Sequence, residues 1–172
     1  MCLARTLVFA LAVAALGGCA SDYVPPKEPS FYTNLAQPGA QLDAAAAASI
    51  ISGYRSNNGL DAVVLDPELM RLAQAQADVM AKRNKLDHDT ARPFLTRLKG
   101  SGYDAKVAAE NIGAGYHTLA EAFSGWRDSP PHNSNMLLKG ATRIGIAAVY
   151  APGSKYKVFW TLILAAPDDK KG

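Results

Sequence analysis

His88, Glu110 and His132 are the residues of this chain whose types best fit them for chemistry. His88 sits in Leu86-Asp87-His88-Asp89. His132 sits in Ser129-Pro130-Pro131-His132-Asn133-Ser134-Asn135, which reads as a rigid turn before a short helix. Glu110 lies among small and apolar neighbours in Ala108-Ala109-Glu110-Asn111-Ile112-Gly113. That company implies partial burial. A buried carboxylate must find a partner, and a histidine is a natural one. Two imidazoles and one carboxylate have the means to hold a metal ion or to act as a general acid and base. They are far apart in sequence, so only the fold can bring them together.

Other chemistry is narrowed by what the chain contains. Its cysteines are Cys2 and Cys19, both near the start. The rest of the chain therefore forms no internal disulfide, thiolate metal cage or Cys–His nucleophile. Ser129 precedes His132 by three residues, which admits a Ser–His pair, but no Gly-x-Ser-x-Gly elbow occurs. Gly113-Ala114-Gly115 lacks a third glycine at phosphate-loop spacing, so no nucleotide is expected. A net charge of +3 is no nucleic-acid footprint. His117 precedes a helix cap and reads as surface.

The elements that must position these residues can be read in turn. The chain has 172 residues, of which 49% are hydrophobic and 19% charged, enough for one domain with a packed core. Leu42, Ala46, Ile50 and Tyr54 recur at helical spacing, and Asn57-Asn58-Gly59 ends that helix. Asp66-Pro67-Glu68 starts a second helix, with Leu69, Leu72, Ala73, Ala77 and Met80 on its buried face. Lys82-Arg83-Asn84-Lys85 reads as its solvated end. A short helix is expected over Pro93 to Lys99. Thr118 and Glu121 have capping-box spacing and open a helix with Leu119, Ala122, Phe123 and Trp126 on one face. Arg143 to Tyr150 alternates as a strand. Tyr156 to Ala165 is apolar on both faces and reads as a central strand. The two form a C-terminal hairpin. Helices first and strands last predict an α+β domain whose sheet lies between two helical layers.

Residues 1–18 read as a signal peptide, with Arg5 before the apolar run Leu7 to Leu16. That run is too short to span a bilayer. Leu16-Gly17-Gly18-Cys19 resembles the bacterial lipobox, which predicts lipidation of Cys19 and a membrane anchor without a transmembrane helix. Ala20 rather than Asp follows, which points to an outer membrane, facing the periplasm, in a Gram-negative cell. Residues 19–41, with Pro25, Pro26, Pro29 and Pro38, read as a tether on which Phe31 and Tyr32 can pack back. Residues 42–166 form the domain, and 167–172 a frayed tail.

Several joined motifs then resemble one family. Tyr54-Arg55-Ser56-Asn57-Asn58-Gly59-Leu60, Asp66-Pro67-Glu68-Leu69 and Ala73-Gln74-Ala75-Gln76-Ala77 look like the start of the CAP superfamily. That superfamily groups cysteine-rich secretory, antigen-five and pathogenesis-related proteins. The resemblance continues through Leu86-Asp87-His88 and Glu110-Asn111-Ile112-Gly113, and closes with Trp126-Arg127-Asp128-Ser129-Pro130-Pro131-His132-Asn133-Ser134-Asn135. It implies a three-layer α/β/α sandwich with a central, mainly antiparallel sheet. It also implies a cavity lined by two histidines and acidic residues. His88 and His132 match the histidines, and Glu110 matches the first acid. Ser129 stands where many eukaryotic members carry a second glutamate. Asp128, one residue earlier, is about 100° away round a helix.

Several functions follow from that resemblance as expectations. One is a binding module whose cavity, with His88, Glu110, His132, Asn111 and Asn135, or an adjoining apolar groove, holds a lipid, an envelope component or a metal ion. Another is a divalent-metal hydrolase in which His88 and His132 hold Zn²⁺ and Glu110 activates water. A third is a structural envelope protein in which the histidines form a hydrogen-bonded network with Glu110. A monomer is the default.

Overall fold

A computed structural model describes residues 28–168. In chain order it contains α1 (Ala44–Asn57), β1 (Val64–Leu65), α2 (Pro67–Arg83), α3 (Phe94–Gly100) and β2 (Ala105–Ala114). α4 (Leu119–Asp128), α5 (Pro130–Met136), β3 (Arg143–Tyr150) and β4 (Val158–Pro167) follow, and a single 3-10 turn, Ser30–Tyr32, precedes α1. The strands form one sheet in the order β1-β3-β4-β2. β4 pairs antiparallel with both β2 and β3, while β1 pairs parallel with β3.

The alternation of β4 builds the layers. Val158, Trp160, Leu162 and Leu164 face one side, where they meet Ala47, Ala48 and Ile51 of α1, Leu119, Ala122 and Trp126 of α4, and Met136 of α5. Ile163 and Ala165 face the other side, against Leu69, Leu72, Ala73 and Ala77 of α2 and Leu98 of α3. Phe159 meets Met80 there. The sheet thus lies between two helical layers, and β4 is covered on both faces. Burying each large side chain contributes about 1.5–3 kcal/mol. The indoles of Trp126 and Trp160 meet edge to face at 6.3 Å. Gly145 of β3 lets the backbone of α2 at Leu69 and Met70 lie directly on the sheet.

Helix starts follow local chemistry. Asp66 caps α2 by accepting from the N–H groups of Glu68 and Leu69, and Pro67 takes its first position. Thr118 and Glu121 complete the capping box of α4. Pro130-Pro131 ends α4 and also opens α5, so His132 lies within a helix rather than in a turn before it.

Three sequence expectations are modified. The deepest stripe of α1 is Ala47, Ala48, Ile51 and Arg55, while Ala46, Ile50 and Tyr54 flank it. Residues 28–41, expected within a tether, include a stretch held against the domain: Leu35 is buried, and its N–H donates to the His117 carbonyl at 2.7 Å. Pro167, expected in the tail, ends β4, and the Asp168 N–H donates to the Asp104 carbonyl. The expected signal peptide, Cys19 and residues 169–172 lie outside the described residues. Among the described residues no helix is long and apolar enough to cross a membrane.

Candidate functional site

β2 organises the site. Its register pairs Glu110 with Ile163 and Asn111 with Leu162, and these two partners face opposite layers. Adjacent strand residues point to opposite faces, so Glu110 turns toward α2 and α3 while Asn111 turns toward α5.

On the first side, the Glu110 side chain is only 1% exposed. Its Oε1 lies 2.9 Å from Nδ1 of His88, and its Oε2 accepts from Nη2 of Arg97 at 2.6 Å. His88 is carried on the loop that follows α2. Asn84 ends that helix in the left-handed region, at φ 50°. The buried amide of Gln76 donates to the carbonyls of Asp87 and His88 at 2.9 and 3.3 Å. Thr90 Oγ1 donates to the Asp87 carbonyl at 2.7 Å, and Arg83 donates to the Thr90 carbonyl. The His88 side chain remains 47% exposed. The hydrogen bond to Glu110 raises the His88 pKa above its ordinary value, against the opposing effect of burial.

On the second side, Nδ1 of His132 lies 2.8 Å from Oγ of Ser129. Asn111 Nδ2 donates to the His132 carbonyl at 2.9 Å. Asn135 Nδ2 donates to Asn111 Oδ1 at 2.8 Å and to the Glu110 carbonyl at 3.2 Å. The two asparagines therefore fasten α5 to β2. Burial lowers the His132 pKa, and the charge of His88 lowers it further.

Of the residues singled out in the sequence, the structure joins His88 to Glu110 and Asn111 to Asn135. The His132 ring meets Ser129 and not Glu110. Glu121 serves as a cap. Arg97 and Gln76 were not singled out. The signal for Arg97 was Glu110 itself, because a buried carboxylate is best satisfied by a permanent cation.

Zn²⁺ fits this donor set poorly. Glu110 is withdrawn from solvent with both oxygens engaged, and a guanidinium already stands beside it. Among the described residues no three of His, Cys, Asp and Glu are grouped to hold a metal ion.

A sandwich of this topology, with histidines on a post-helical loop and on a short helix flanking one edge strand, defines a class of domain. Residues 49–164 match the CAP family, described as the cysteine-rich secretory protein family. The chain belongs to that family. An uncharacterized protein of Bacillus subtilis, YkwD, is 33% identical over 103 residues, covering 58% of this chain and 40% of its own length. An extracellular protein of Bacillus anthracis containing an SCP domain shares the fold with a TM-score of 0.61 and 23% identity, over 70% of this chain and 39% of that one. An outer surface protein of Borrelia burgdorferi does so with a TM-score of 0.66 and 16% identity, over 76% of this chain and 99% of that one. The chain thus spans about two fifths of the YkwD and Bacillus anthracis proteins.

Proposed function

We propose that this chain is a non-enzymatic binding module of the cell envelope, exported and held on a membrane through lipidated Cys19. Its ligand is an amphipathic, anionic envelope component such as an acidic lipid. The carrying observation is a groove of about 270 Å³ between α2 and α3, next to the His88–Glu110–Arg97 cluster. Leu72, Ala75 and Val79 supply apolar walls, and Arg71 and Arg92 are basic lining residues. Arg71 is paired with Glu68, whereas Arg92 makes no ion pair among the described residues. Apolar walls with an unpaired arginine suit an acyl chain that carries an acidic headgroup. The sequence from Met1 to Cys19 supports the anchor, and the extracellular Bacillus anthracis relative supports export.

The hydrolase alternative has less support. A carboxylate 1% exposed, with both oxygens engaged, has no access to a water it would activate.

The test is a titration of the chain from Ala20 onward with dihexanoyl-phosphatidylglycerol and its phosphatidylcholine analogue. The anionic lipid is expected to bind more tightly. Ala75→Phe, which fills the groove from the exposed face of α2, is expected to abolish binding, and Arg92→Ala to weaken it. Binding by neither lipid, or binding unchanged in a folded Ala75→Phe variant, refutes the groove. Anchoring is read separately, as membrane-bound protein lost in Cys19→Ala.

A further inference from the structure

We propose that Arg97 is the built-in cation of the His88–Glu110 cluster, holding the buried carboxylate so that the cluster is kept together without a metal. Glu110 and Arg97 are almost wholly withdrawn from solvent, at 1% and 12% exposure, and meet at 2.6 Å. A carboxylate that deep needs a counter-charge within contact, and the guanidinium supplies it permanently.

Arg97 is not free to swing aside. Its Nε donates to the Arg92 carbonyl at 3.1 Å, and its Nη2 also donates to the His88 carbonyl at 3.4 Å. Its guanidinium stacks over the Phe94 ring at 5.6 Å. The same group thus fixes the carboxylate and the backbone of the residue that the carboxylate orients. A divalent ion bound to Glu110 would lie against this guanidinium and be repelled by it.

The remaining donors do not compensate. The Nδ1 atoms of His88 and His132 are engaged by Glu110 and Ser129. Each ring therefore has only Nε2 to offer. Beside the His132 ring stands Ser129, which brings no carboxylate, and strand alternation turns Glu110 away from the α5 side that carries His132. Two neutral nitrogens fall short of the three protein ligands of an open zinc site. Arg97 is in this sense a positioning residue: it holds Glu110, which holds His88.

The test is calorimetric titration of the purified full chain with zinc chloride. The wild type is expected to show no stoichiometric binding. Arg97→Met, which frees one carboxylate oxygen and removes the repelling charge, is expected to gain at least about tenfold in zinc affinity. Adding His88→Ala to that variant is expected to abolish the gain. Arg97→Lys keeps the cation and stays as weak as the wild type. Tight one-to-one binding by the wild type that His88→Ala removes overturns the proposal. So does an unchanged affinity in a folded Arg97→Met variant. If that variant does not fold, the ring resonances of His88 and His132 in the wild type decide: unmoved by zinc they support the proposal, shifted they overturn it.

Discussion

Nη2 of Arg97 lies 2.6 Å from Oε2 of Glu110, and the two side chains close off each other's charge from solvent. Removing one partner of such a pair leaves the other buried and uncompensated, at a cost of about 3–5 kcal/mol. Arg97→Met and Glu110→Leu are therefore both expected to lower stability by amounts of that order. Arg97→Met combined with Glu110→Leu removes both charges and is expected to be less destabilised than the sum of the single changes. Urea unfolding of the four proteins measures this, and strict additivity would show that the pair is not coupled.

The two histidines are expected to titrate in opposite directions. Glu110 raises the His88 pKa above 6.5. The stability His88 contributes is then fully present below about pH 6.5 and is lost as pH rises through the raised value. Burial and the His88 charge lower the His132 pKa below 6.5. Its neutral form is the favoured one, so its contribution is present above that value and lost as pH falls through the lowered one. Ring-proton titration by NMR reads both. Glu110→Gln should bring the His88 midpoint down. His88→Ala should move the His132 midpoint up part of the way, because burial remains.

The sequence and the structure agree where local chemistry is strong. The capping box at Thr118 and Glu121 and the two-faced apolar pattern of β4 were legible, because side-chain type alone decides them. β2 was not legible as a strand. Ala105–Ala114 is made largely of alanine, glutamate, asparagine and glycine, which are poor strand formers, and pairing with β4 imposes the conformation. The stripe of α1 shifted by one position because Arg55, a polar type, belongs to its buried face. At the site, the need of Glu110 for a histidine partner was legible, but which of His88 and His132 meets it was not, because only the fold brings His88 to the carboxylate and leaves His132 on Ser129. Arg97 was hidden because an arginine on a seven-residue helix reads as solvated until the fold puts a carboxylate beneath it.

Arg55 is a second buried arginine, and it uses carbonyls instead of a carboxylate. Its Nε donates to Asp61, its Nη1 to Met136 and Leu138, and its Nη2 to Ala141, all between 2.9 and 3.0 Å. These bonds tie the end of α1 to the connection between α5 and β3. Arg55→Met keeps the packing stem but leaves four carbonyls without this donor. It is expected to cost about 3 kcal/mol or more, with the loss centred on residues 136–141. Hydrogen exchange should show those amides opening first. Uniform loss of protection would mean that Arg55 supports the whole domain and not this connection.

Gly145 tests whether the site depends on how closely α2 lies on the sheet. A Cβ at this position would overlap the backbone carbonyl of Leu69 and stand 2.6 Å from the Met70 nitrogen. Backbone on both sides cannot yield as a flexible side chain could, so α2 would have to lift. Gly145→Ala is expected to cost about 3 kcal/mol, at the upper end for overpacking. The lift would also carry Gln76, whose amide holds the carbonyls of Asp87 and His88. The His88 ring should then lose its register with Glu110, and its pKa should fall back toward the ordinary value. Gly53→Ala is the control, because nothing lies within 4 Å of that position on the exposed face of α1. There the change is expected to stabilise by about 0.5–1 kcal/mol and to leave His88 untouched. A His88 titration unaltered in Gly145→Ala would show that the loop holds the histidine independently of α2.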